Sequence, residues 1–148
     1  MEMRYIQYNP DIIYKIKTRK IYQMNTIGKR IWAIAEGYIP SSSNGPEPQM
    51  TSHETACILN TTDHEAKIEL TLYFTDRDPV GPYIINVEPK RTKHLWFNDL
   101  KDPMKVPLNV EYASVFISDV PVVIQHSRLD SRQSENALMT TIAFSGDE

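Results

Sequence analysis

The sequence predicts an all-β fold, a single-domain antiparallel two-sheet sandwich of jelly-roll type with about eight strands, and three observations predict it. From Lys29 onward, short apolar runs, many of them alternating, recur between links rich in Pro, Gly, Asn and Asp. The clearest run, Ala66–Thr75, puts Ala66, Ile68, Leu70, Leu72 and Phe74 on one face and Lys67, Glu69, Thr71, Tyr73 and Thr75 on the other. Such a strand has one wet side, which antiparallel sheets tolerate. No convincing amphipathic helix of ten or more residues interrupts the pattern, whereas a parallel sheet needs helices over both faces.

Taken in order, residues 1–28 read as a leader, disordered or not native, with Met24 as an alternative start. Its stretch MEMRYIQYNPDIIYKIKTRKIYQ has no sustained period and carries a balance of +3, so the rest of the chain carries −6 of a net −3. The domain spans 29–148. Its expected strands are Arg30–Glu36, Glu54–Asn60, Ala66–Thr75, Pro82–Glu88, Thr92–Asn98, Glu111–Ser118, Val122–Asp130 and Leu138–Phe144. Asn60–His64 and Asp76–Gly81 are turn-rich links. Asp119 before Pro121 suggests a hairpin between the sixth and seventh strands. Tyr38–His53, with Pro40, Pro46 and Pro48, reads as a long structureless loop of the kind that carries function.

At 148 residues the chain is long enough to bury roughly two-thirds of its unfolded surface. No apolar run reaches the roughly 18 residues of a membrane span, and no secretory h-region opens the chain, which points to the cytoplasm. The lone Cys57 lies in the apolar run TACILN and reads as a buried small hydrophobe. No nucleophile elbow, Walker loop, H-E-x-x-H or G-x-G-x-x-G is present, so no enzyme activity and no cofactor are expected. His53, His64, His94 and His126 are too scattered to bring two metal ligands to one point.

The stretch PVVIQHSRLDSRQSENA, Pro121–Ala137, turns from apolar to polar without a break. On a strand, Val122, Ile124, His126, Arg128 and Asp130 share one face, and Ser127 points the other way. An imidazole, a guanidinium and a carboxylate therefore line up, followed by Arg132 and Glu135. Two readings stay open, an ion-pair network among Arg128, Asp130, Arg132 and Glu135, or a ligand site in which Arg128 or Arg132 meets an anionic group. Trp32 with Glu36, and His94 with Trp96 and Asn98, alternate so that an aromatic surface sits beside polar groups, as a sugar-like ligand requires. The favoured alternative is that both tryptophans are simply core. Glu36, His53, Glu54, Arg91 and His94 complete the expected binding surface. Lys90, Arg91 and Lys93, joined by Lys101 and Lys105, are the only basic cluster of the body that could meet nucleic acid.

Six motifs, in one order, carry a family resemblance: WAIAEGYIP (Trp32–Pro40), NGPEPQ (Asn44–Gln49), SHETACILN (Ser52–Asn60), DPVGPY (Asp78–Tyr83), RTKHLWFNDL (Arg91–Leu100) and VIQHSRLDSRQSENALMTTIA (Val123–Ala143). Over residues 29–144 the chain resembles the sensory rhodopsin transducer family. The resemblance implies a small soluble β-sandwich, similar to those of carbohydrate-binding modules, assembled as a homotetramer. It also implies a membrane photoreceptor as partner and an action on DNA. The expected function is thus a soluble signal-transduction and ligand-sensing module. Its alternatives are a sugar-like or anionic small-molecule binder without a photoreceptor, and a DNA-binding regulator.

Overall fold

The computed structural model describes residues 27–133 and 137–146; the leader expected before the domain lies outside them up to residue 26. Eight strands follow one another: β1 (Lys29–Tyr38), β2 (His53–Asn60), β3 (Ala66–Phe74), β4 (Val80–Val87), β5 (Arg91–Trp96), β6 (Glu111–Asp130), β7 (Ala137–Ile142) and β8 (Phe144–Ser145). A single 3-10 turn, Phe97–Asp99, follows β5, so Asn98 leaves the strand in which it was expected. All pairings are antiparallel. One sheet runs β4-β3-β6-β1-β8 and the other β5-β2-β6-β7, giving a β-sandwich.

The two sheets share β6. Its first half pairs with β3 and β1, from Tyr112 to Ser118, and its second half with β2 and β7, from Val123 to Asp130. The hairpin expected at Asp119–Pro121 is therefore absent, and the sixth and seventh expected strands are one element of 20 residues. The reason is local. The β3 ladder reaches only Ser118, and β1 passes from Ile117 to Val122, so the missing N–H of Pro121 costs no ladder bond. Asp119 turns its carboxylate back to accept from the Lys67 N–H at 2.8 Å. The inward phase is unbroken across the proline: Ser114, Phe116, Ser118, Val122, Ile124 and His126 are all buried.

The core lies between the sheets, built from Ile68, Leu70 and Leu72 of β3, Tyr83, Ile85 and Val87 of β4, Ala56 and Ile58 of β2, and Phe116, Val122 and Ile124 of β6. Trp32, a candidate ligand residue in the sequence, is buried in this core. Its indole N–H is shared between the carbonyls of Lys29 (3.0 Å) and Val122 (2.9 Å), where β6 passes from one sheet to the other. Gly28 sits beside that crossing at φ +111, where a Cβ would fall 2.3 Å from the Val122 carbonyl oxygen. Cys57 is half-buried rather than buried. It faces away from Ala56 and Ile58, because the apolar run around it alternates faces.

The loop from Ile39 to Ser52 is pinned rather than structureless. Ile39 is fully buried, Met50 N–H donates to Pro46 O at 2.9 Å, and the Ser52 hydroxyl donates to Ser42 O at 3.0 Å. Ser52 also meets the Ser131 hydroxyl at 3.0 Å, which ties the loop to the end of β6. Across the molecule, Leu138, Ile142 and Phe144 on β7 and β8 stay exposed.

Candidate functional site

The polar row of β6 finds its partner on β2. The alternation of HETACILN turns Glu54, Ala56, Ile58 and Asn60 inward, and the register sets Glu54 opposite Arg128 and Ala56 opposite His126. Glu54 is 1% exposed, and a carboxylate that deep stays charged only if its oxygens are matched by donors. Two donors and an imidazole nitrogen reach it. Arg128 Nε donates to Oε1 at 2.6 Å, the Tyr38 N–H donates to the same oxygen at 2.8 Å, and His126 Nε2 meets Oε2.

Arg128 extends from this buried anchor to the surface, where Nη1 donates to Glu36 Oε1 at 2.8 Å. Burial works against its charge, but the hydrogen bonds to Glu36 and Glu54 outweigh that and raise the guanidinium above its ordinary value. The same contact, hydrogen bond first and charge second, holds the Glu36 carboxyl below the usual carboxylate range. The Glu36 side chain is nonetheless 71% exposed.

Beside this cluster opens a cleft of about 810 Å³ whose walls include Glu36, Tyr38, Tyr73, Phe74, Tyr112, Arg128 and Arg132. It is set by a register shift in β1 between Ile34 and Gly37, and by the glycine itself, whose Cβ would fall 2.4 Å from the Tyr112 ring. Burial, reinforced by the negative charge of Glu54, pushes the Tyr112 phenol far up. Two polar atoms of the cleft walls, Arg128 Nη2 and the Tyr112 hydroxyl, are buried and make no hydrogen bond among the described residues. Two such groups against one cleft mark a place where a ligand can supply what the chain does not.

Of the other expected residues, Arg132 shares the cleft wall and the rest lie elsewhere. Asp130 and Arg132 pair with each other, Arg132 Nε to Asp130 Oδ1 at 2.9 Å, which lowers the Asp130 carboxyl, and the Arg132 guanidinium sits over the Tyr38 ring at 5.7 Å. The expected network of Arg128 with Asp130 is replaced by Arg128 with Glu54 and Glu36; Glu135 lies outside the described residues. His53 stacks on Trp96, centroids 4.0 Å apart, and its Nδ1 meets Thr51 O at 2.7 Å, away from the cleft walls. Arg91 pairs with Asn60, at the far end of β2 from Glu54, about 20 Å away at strand rise. His94 lies opposite Cys57, on the outer face away from buried Leu95. Lys90 is tied to Asp63 (3.1 Å) and Lys93 to the Asn86 carbonyl (3.2 Å), while Lys101 and Lys105 follow the opposite end of β5. Tyr38, Tyr112 and Gly37 escaped the reading of the sequence. The inward phase of Tyr112 with Ser114 and Phe116 was the signal for one of them.

Ser127 faces away from His126, and among the described residues no group of three or more His, Cys, Asp or Glu could hold a metal ion. The fold and the site define a class: a small all-β domain with a buried carboxylate-guanidinium-imidazole cluster that opens into a cleft. Comparison with known proteins narrows the class to a family. The family model described as Anabaena sensory rhodopsin transducer matches residues 27–145, and the chain belongs to that family. The solved structure of the Anabaena sensory rhodopsin transducer is 55% identical, covering 71% of this chain and 99% of its own, with a TM-score of 0.64. The crystal structure of Thermotoga maritima 1070 is 38% identical, covering 80% of this chain and 96% of its own, with a TM-score of 0.72. No protein with a curated description matches the chain.

Proposed function

We propose that the protein is a non-catalytic signal-transduction module in which the cleft beside Arg128 senses a small molecule. One observation carries the reading: Arg128 and Tyr112, on the walls of a cleft whose volume suits a small ligand, each keep a buried polar atom that has no partner among the described residues. Membership of the sensory rhodopsin transducer family supports a relay role, with a membrane sensory rhodopsin as upstream partner. Assembly as a homotetramer fits the exposed strip of Leu138, Ile142 and Phe144, since an apolar strip of this kind marks an interaction surface. No helix among the described residues is long and apolar enough to cross a membrane.

A thermal-shift screen of sugars and anionic metabolites at fixed pH tests the sensing role, because a ligand that binds only the folded chain raises its melting temperature. A screen without a shift removes that role. Pull-down with a detergent-solubilised sensory rhodopsin tests the relay separately, and light scattering tests the tetramer.

A further inference from the structure

Arg128 uses its guanidinium unevenly. Nε is committed to buried Glu54, and Nη1 to Glu36, while Nη2 has no partner among the described residues. The Nη1–Nη2 edge of a guanidinium is a planar fork that matches both oxygens of one carboxylate. Glu36 meets only one prong of it, from a side chain that is mostly in solvent and has no other hydrogen bond shown. An exposed contact of this kind is weak and easily exchanged.

Resting on the reading of the cleft as a ligand site, we infer that Glu36 is an internal stand-in for a ligand carboxylate. A small monocarboxylate with an aromatic body displaces Glu36 from Arg128 and takes both Nη1 and Nη2, with its body against the exposed Tyr73 ring.

Three features favour this class. The displaced Glu36 loses only a contact that water replaces, whereas the buried Nη2 gains the bond it lacks. The cleft walls carry exposed aromatic surface in Tyr73 for an apolar ring, with half-buried Phe74 at the core side of the cleft. The charge is finely balanced: Arg132 is already held by Asp130, and Glu111, opposite Tyr38, also lines the cleft, so a second negative charge on the ligand meets carboxylates rather than cations. That disfavours phosphates and dicarboxylates, although their geometry also fits the fork.

Calorimetric titration of the full chain with benzoate tests the inference, with benzamide as neutral isostere and phenylphosphonate as doubly charged analogue. Benzoate binds, benzamide does not, and phenylphosphonate binds more weakly. Glu36→Gln, an exposed change that leaves the core untouched, tightens benzoate about two- to fivefold, the equivalent of removing a surface ion pair. In the wild-type chain, benzoate also shifts the Arg128 Nε–H resonance. Equal or weaker benzoate affinity in Glu36→Gln, a tighter phenylphosphonate, an unmoved Arg128 resonance, or no benzoate binding to either protein each overturns the inference. Glucose bound by both proteins while benzoate stays inert overturns it too, yet leaves the sensing role standing.

Discussion

Two arginine-carboxylate pairs stand close together in this molecule, and they have opposite characters. Arg128 with Glu54 joins residues 74 apart in sequence, and its carboxylate is buried. Arg132 with Asp130 joins residues two apart at the surface, where both side chains reach solvent. Similar bond lengths, 2.6 Å and 2.9 Å, thus hide different physics. In water the attraction of two charges is nearly cancelled by lost hydration. In the interior neither charge can be left alone, so the pair acts as a unit that fixes which strand lies against which.

The largest effect should come from breaking the buried pair. Glu54→Ala strands Arg128 without its counter-charge and His126 without its buried hydrogen-bond partner, and should cost about 3–5 kcal/mol in urea unfolding. A cost below that of Arg132→Ala would erase the distinction. Next, Gly37→Ala drives a Cβ into the Tyr112 ring beside the buried pair. It should cost about 1–3 kcal/mol by overpacking, read as a lowered melting temperature.

Acid sharpens the comparison further. Glu36 and Asp130 are both held below their ordinary values by hydrogen bonds from Arg128 and Arg132. A depressed folded pKa means that the unfolded chain binds protons first. The stability from each pair is therefore complete above the ordinary carboxylate range, near pH 4, and is lost as pH falls through the depressed value. Arg132→Ala should flatten only the Asp130 share of that acid-side slope. The smallest effect is Arg132→Ala at neutral pH, a barely lowered melting temperature, since an exposed pair offers little. A loss as large as that of Glu54→Ala would show that Arg132 has a further buried partner.

Much of this was legible beforehand. The alternation of Ala66–Thr75 became β3 almost residue for residue, and the shared face of His126 and Arg128 held because the period of a strand is fixed by its geometry. The continuity of β6 was not legible, because Asp119 and Pro121 are turn residues unless the neighbouring ladders happen to stop beside them. Nor was the choice of Glu54 over Asp130 as the partner of Arg128. That depends on the register between β2 and β6, a long-range quantity that no local pattern encodes. Arg91 and His94 failed to join the cluster for the same reason: β5 pairs with the far side of β2, and its register carries them to the other end and the outer face.

One strand common to both sheets has a consequence for how the molecule comes apart. Neither sheet can be shed while the other survives, since removing β6 deletes an interior strand of each. Partial opening is then confined to the edges, such as β4, β5 and two-residue β8, while the ladder-bonded amides on either side of the Asp119–Pro121 crossing should exchange with solvent only when the whole domain unfolds. Hydrogen exchange should therefore show one slow core running through Phe116 and Ile124 alike. A disturbance at the Glu54 end is then felt, as a change in protection, at the opposite end of the sandwich.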